Sequence, residues 1–181
     1  MFFGNEKFNI DISEWDVSKV QDTSMMFYSS KIFNQDLSSW NMSSNTNMGF
    51  MFSESKFNAN ISNWDVSQVT SMYETFGGNK HFNHDLSRWD VTKVETFSWM
   101  FSNAKSFNQM LCWKINSDSR VVSMFDGSFG CIEEKCCKKC EQELLCDSIV
   151  KRSIEPSSKP SLKLSSKPSM SQTYKLSLIL N

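Results

Sequence analysis

Three groups of residues have the types and spacing to do chemistry. The first is cysteine, at positions 112, 131, 136, 137, 140 and 146. Cys137-x-x-Cys140 has the spacing of a zinc half-site or a redox pair, and the lysines between them would lower thiol pKa. The second zinc half-site is irregular, and six cysteines allow fifteen pairings. For Cys136, Cys137, Cys140 and Cys146 three readings stay open: a disulfide knot of a secreted protein, unpaired thiols, or zinc. The second group is His81 and His84, around Phe82-Asn83. A two-histidine metal pair or a catalytic histidine is conceivable; solvent-exposed variation is the plainer reading. The third is a set of polar residues flanking tryptophans. Glu14, Ser39, Asn63 and Arg88 precede a Trp, and Asp16, Asn41, Asp65 and Asp90 follow one. If these lie on one face, Asp65 and Asp90 come close enough to repel, and a hard cation such as Ca²⁺ could bridge them. The plainer reading is a soluble surface that hydrogen-bonds the adjacent turn. No Gly-rich phosphate loop, G-x-S-x-G elbow or H-E-x-x-H is present, which weighs against an enzyme.

What must position these residues is a repeat. Phe-Asn opens a unit at 8, 33, 57, 82 and 107, so the period is 24–25 residues. Trp15, Trp40, Trp64, Trp89 and Trp113 follow, and a second Phe comes twelve residues after each Trp: Phe27, Phe52, Phe76, Phe101 and Phe125. A fixed period of this length predicts a solenoid, because one unit cannot bury such aromatics alone whereas stacked units can. The Trp column and the two Phe columns are therefore expected in the core.

Within a unit, an apolar residue stands three before the Trp (Ile12, Leu37, Ile61, Leu86, Met110) and another two after it (Val17, Met42, Val66, Val91, Ile115). The alternation around the Trp predicts one short parallel strand. Spacings of three and four follow, as in Val20, Thr23, Met26 and Phe27, and predict a short helix or 3₁₀ turn. Asn9, Asn34, Asn58, Asn83 and Asn108 form a column that predicts an internal polar ladder satisfying backbone groups where the chain bends. An exposed Asn row that binds sugar or ice is the functional alternative. Asn45 and Asp118 stand where other units have Val, so units two and five are expected to be irregular.

Formal charge is −1 overall, but residues 1–130 carry 10 Lys/Arg against 14 Asp/Glu (net −4) and residues 131–181 carry 9 against 6 (net +3). Neither balance marks a nucleic-acid binder. No stretch approaches the ~18–20 apolar residues of a membrane span. No leader peptide is visible, yet Met1-Phe2 precedes Phe8 as Met26-Phe27 precedes Phe33, so numbering starts inside a unit. Either the front of that unit is missing, with room for a leader upstream, or the chain begins uncapped, and the first reading is preferred.

The pattern L-x-x-W-x-V, then V-x-x-M-x-x-M-F, then F-N resembles the BspA-like leucine-rich-repeat surface proteins. The branch concerned is the one marked F-N-x-D-[IL]-S-x-W-D-V-S-x-V; Phe33–Trp40, Phe57–Val69 and Phe82–Val94 match it closely. The resemblance spans about residues 1–131. It implies a leucine-rich-repeat-like solenoid, an exported protein at or outside the cell surface, no catalytic residues, and a role in adhesion or recognition of a protein or glycan. It also implies a Cys112–Cys131 disulfide, since related chains often carry such a pair in the closing repeat.

The expected organisation is a solenoid over 1–131 (a partial unit 1–7, then five units), a Cys-rich capping segment over 132–150, and a disordered Ser/Pro/Lys-rich tail over 151–181, whose composition cannot sustain a core. Asn41-Met42-Ser43 and Asn60-Ile61-Ser62 are sequons of low specificity. The expected function is a non-enzymatic extracellular recognition or adhesion module without cofactor or transmembrane segment, its ligand meeting the face that carries Glu14 through Asp90. The alternative is a structural segment of a larger wall or surface protein with no discrete ligand.

Overall fold

A computed structural model describes residues 2–132. Segments 132–150 and 151–181, with Cys136, Cys137, Cys140 and Cys146, lie outside the described residues apart from Ile132.

Successive repeats lie side by side in parallel. One column of bridges joins Asp22 to Asn47, Asn47 to Ser71, Ser71 to Thr96 and Thr96 to Arg120. Every partner stands seven residues after its Trp, so the bridged segment lies beyond the tryptophan rather than around it, where the sequence placed a strand. At the C-terminal end β1 (Met110–Leu111) pairs in parallel with β2 (Cys131–Ile132).

No helix occurs among the described residues, although the three- and four-residue apolar spacing predicts one. The reason is backbone handedness. Met25, Phe50, Glu74, Trp99 and Ser123, each ten residues after a Trp, have φ of 51–58°, and Ser29, Glu54, Gly78, Asn103 and Gly127, each fourteen after, have φ of 56–74°. A left-handed residue every four positions interrupts right-handed helix and costs about 1–2 kcal/mol where it is not glycine. The amides then divide between two partners. The N–H groups of Thr23, Met25, Phe27 and Ser29 donate to the carbonyls of Asn47, Gly49, Met51 and Ser53 in the next repeat. Those of Met26, Tyr28 and Ser30 donate back to Thr23, Met25 and Phe27. The segment is thus a run of tight turns whose alternate amides tie it to its neighbour.

The core is continuous and aromatic. Phe27, Phe52, Phe76, Phe101 and Phe125 stack with centroids 5.4–5.7 Å apart, and Phe33, Phe57, Phe82 and Phe107 at 6.1–6.3 Å. The two columns touch where one repeat passes into the next, as Phe52 and Phe57 do at 3.9 Å. Burying each ring contributes roughly 1.5–3 kcal/mol. Trp40 and Trp64 stack at 6.4 Å, as do Trp89 and Trp113. Each buried indole N–H donates to the carbonyl two residues beyond the previous repeat's Phe-Asn-x: Trp40 to Ile12, Trp64 to Leu37, Trp89 to Ile61 and Trp113 to Leu86. Trp15, in the first repeat, is 42% exposed.

The Asn column is a ladder, but on the surface. The amide of Asn34 donates to the Asn9 side-chain carbonyl, Asn58 to Asn34, Asn83 to Asn58 and Asn108 to Asn83. All five side chains are exposed or half-exposed, because the chain leaves the core at this corner and its amide can face only the neighbouring repeat. Asn45 sits where Val69 and Val94 are buried, its Nδ2 3.2 Å from Thr23 Oγ1 and its Oδ1 buried without a hydrogen-bond partner.

Candidate functional site: a surface aromatic ribbon

The eight residues flanking the tryptophans are all exposed, as their polarity requires. Their hydrogen bonds serve the fold. The carboxylates of Asp16, Asp65 and Asp90 and the amide oxygen of Asn41 accept from the backbone N–H two residues on, closing a turn. Ser39 Oγ donates to Ser13 O and Asn63 Nδ2 to Ser38 O, stitching repeat to repeat. Hydrogen bonds from Ser18, Ser67 and Thr92 hold Asp16, Asp65 and Asp90 below the usual carboxylate range, and at Asp65 they outweigh the repulsion from Asp90. Among the described residues no three His, Cys, Asp or Glu side chains gather as a metal site.

His84 Nε2 lies 2.8 Å from Asn58 O, as Gln35 Nε2 reaches Asn9 O and Gln109 Nε2 reaches Asn83 O. The histidine therefore occupies a glutamine's place in the ladder. His81 is exposed, and its backbone N–H donates to the Asn79 side chain. Cys112 and Cys131 are both half-buried. The register sets Cys131 beside Met110, and Cys112 follows two residues after Met110, just past the end of β1.

A different surface carries the feature that the repeat's structure does not require. Phe3, Tyr28, Phe50, Tyr73 and Trp99 form an unbroken row outside the core. Phe3 stacks on Tyr28 at 5.0 Å; Tyr28 meets Phe50 edge-on at 6.1 Å; Phe50 meets Tyr73 at 5.0 Å; Tyr73 meets Trp99 at 5.2 Å with ring planes 83° apart. Phe3 is 61% and Trp99 37% exposed. Trp99 donates its backbone N–H to the Val122 carbonyl of the next repeat, and Val122 is itself exposed. Tyr28, Phe50 and Tyr73 between them are half-buried; a fully buried aromatic needs no further explanation, whereas a contiguous row that reaches the surface along its length does.

At the Tyr73–Trp99 end lies a shallow recess of about 350 Å³, lined also by Glu54, Glu74, Ser102 and Asn103. Gly78 lines it as well. A Cβ on Gly78 would collide with the Glu54 carboxylate and one on Gly77 with the Glu74 side chain, so both glutamates lie folded over glycine. Glu74 accepts a hydrogen bond from Ser53 Oγ at 3.1 Å. Burial pushes its pKa up, the Ser53 hydroxyl partly offsets this, and the charge of Glu54 adds to the rise. Glu54 carries a loose ion pair with Lys31, Nζ to Oε2 3.7 Å, both side chains being about half exposed. Burial and the Glu74 charge raise the Tyr73 phenol.

A second recess, of about 340 Å³ around Thr70, Lys93, Glu95, Asn116 and Asp118, has no aromatic wall. Sequence reasoning missed the ribbon, though it left two signals. Trp99 is the one tryptophan of six that falls outside the Trp column, and Gly77-Gly78 is the chain's one double glycine.

No helix among the described residues is long and apolar enough to cross a membrane. No curated protein and no solved structure matches the chain. A protein-family profile, described as "Mycoplasma protein of unknown function, DUF285", matches residues 1–56 and again 46–134. The two matches overlap and together take in every repeat, core column and ribbon residue described above, and on that ground the chain belongs to the DUF285 family.

Proposed function

We propose that this protein is a non-enzymatic recognition module displayed outside the cell, built as a leucine-rich-repeat-like solenoid of the BspA-like surface type. The parallel bridges at 24–25-residue steps and the stacked aromatic columns support the solenoid reading. The observation that carries the recognition reading is the ribbon: five aromatic side chains in unbroken contact outside the core columns, exposed at Phe3 and Trp99 and half-buried between. Aromatic side chains supply large contact area at low conformational cost, which is why they dominate binding hot spots. The contact surface in this reading is the ribbon and its recess; the tryptophan-flanking row serves turns.

The test has two arms. Protease treatment of intact source cells should remove the chain, placing it outside. The purified chain should then bind those cells or their hosts' surfaces saturably, and Trp99→Ala with Tyr73→Ala should abolish this without unfolding the protein. A chain resistant to protease until lysis, or binding that ignores both substitutions, would count against the proposal.

A further inference from the structure

The recess at the end of the ribbon has a chemistry more specific than adhesion, and the proposal that follows rests on the recognition reading. Tyr73 and Trp99 stand nearly perpendicular with centroids 5.2 Å apart, so together they make an aromatic corner. Two carboxylates, Glu54 and Glu74, line the same recess. The residues of the repeat region carry 14 acidic against 10 basic side chains up to position 130. Electron-rich ring faces beside carboxylates attract an organic cation. A guanidinium suits this arrangement better than an ammonium: it is planar, stacks on an indole, and offers a fork of N–H donors to a carboxylate.

We propose that the Tyr73–Trp99–Glu54–Glu74 recess binds an arginine side chain of a partner protein, presented on an extended segment whose neighbouring apolar residues lie along Phe50 and Tyr28. The arginine stacks on Trp99 and accepts its charge balance from Glu74, whose own partner is only the neutral Ser53 hydroxyl. Lys31, half exposed, donates to the Glu54 carbonyl at 2.9 Å and stands 3.7 Å from its carboxylate, so it can release the carboxylate to a ligand without leaving a buried charge. The recess is shallow and open, which fits one side chain of a longer segment. The row of rings leading from it gives that segment a direction.

The experiment uses the full chain and nine-residue peptides of one leucine-flanked sequence with arginine, lysine, citrulline or glutamate at the centre, read by fluorescence anisotropy. The arginine peptide should bind with a Kd below about 1 mM. Citrulline, which keeps the shape and loses the charge, should weaken binding about tenfold or more, and glutamate should abolish it. Trp99→Ala and Glu74→Gln should each cost about tenfold, with melting temperature reporting that the variants fold. Glu95→Gln, which removes the same charge from the other recess, should leave affinity unchanged. Equal binding of arginine and citrulline peptides, no binding of the arginine peptide at about 1 mM, or full affinity in Trp99→Ala overturns the proposal. So does competition by a neutral oligosaccharide, or by phosphocholine vesicles, in place of the peptide. If the peptides fail while Trp99-dependent binding to cells persists, the ligand class is wrong and the recognition reading stands. If cell binding is absent as well, both fall.

Discussion

The tryptophan-flanking row and the aromatic ribbon are both surface columns that run along the same stack, and they obey different rules. In the row, one position keeps one role: Asp16, Asn41, Asp65 and Asp90 each close a turn on the residue two places on. In the ribbon the register wanders. Tyr28 stands thirteen residues after its Trp, Phe50 and Trp99 ten, and Tyr73 nine, yet the rings remain in contact. A role required by every repeat recurs at a fixed offset. A surface needed once, over several repeats, is assembled from whichever offsets reach it. Periodicity in a repeat protein therefore marks what holds the stack together, and departures from it mark where the proposed contact surface lies.

Substitutions can break that contrast. Phe52→Ala removes a fully buried ring packed on Phe27, Phe57 and Phe76 and should cost about 3–5 kcal/mol in urea unfolding. Trp99→Ala should cost about 1–2 kcal/mol, less than Phe52→Ala because the ring is 37% exposed though packed on Tyr73, and should weaken the proposed peptide binding about tenfold. If Trp99→Ala destabilised as much as Phe52→Ala, the ribbon would be core and the contrast would collapse. Trp64→Phe keeps a ring but loses the indole donor to Leu37 O, for an expected loss of about 1–2 kcal/mol. The Leu37 carbonyl still receives the Trp40 amide, which limits the cost.

Asn45→Val should act in the opposite direction. It restores the apolar residue of the equivalent positions 69 and 94 and removes a buried oxygen with no hydrogen-bond partner, for a gain of about 1 kcal/mol. A loss would mean that the Asn45 contact with Thr23 matters more than the unsatisfied oxygen.

Proton linkage separates the two surfaces by sign. Asp11, Asp16, Asp36, Asp65 and Asp90 have folded pKa values below their unfolded ones. Their contribution to stability is complete above the unfolded value of about 4 and is lost as pH falls through the lower folded values. Glu74 is raised, so its contribution is present at low pH and disappears as pH climbs through its folded pKa. Asp65→Asn should therefore flatten the acid limb of a melting-temperature profile. Glu74→Gln should leave the melting temperature at pH 7 equal or slightly higher, the smallest of these effects. A clear drop on Glu74→Gln would show that the ionised carboxylate stabilises the stack.

The columns were legible because their physics repeats. The Phe and Trp rings could be placed inside from spacing alone, and the Asn column announced a hydrogen-bonding role. Its position at the surface was hidden, because an amide that serves a neighbour's backbone reads the same inside or out. The helix was misread for a related reason. Spacings of three and four also fit a run of turns, and the residues that force the turns (Met25, Phe50, Glu74, Trp99) are not glycine and give no warning of positive φ. The recess stayed invisible because Glu54, Glu74 and Trp99 come from three successive repeats and share no motif.

One detail of the stack has a practical consequence. From the core Phe at 27, 52, 76 or 101 to the next repeat's Phe takes six residues, except between Phe52 and Phe57, where it takes five. Rings on both sides of that corner keep their spacing, 5.7 Å across Phe52–Phe76 and 6.1 Å across Phe33–Phe57. The chain has thus already absorbed a change of length there without shifting a column, and Lys31, Lys56, Lys80 and Lys105 at the same corner all face solvent. A foreign loop grafted beside Lys80 or Lys105 should fold out of the way of the packing and be displayed next to the aromatic corner, making this the natural port for engineering new specificity into the scaffold.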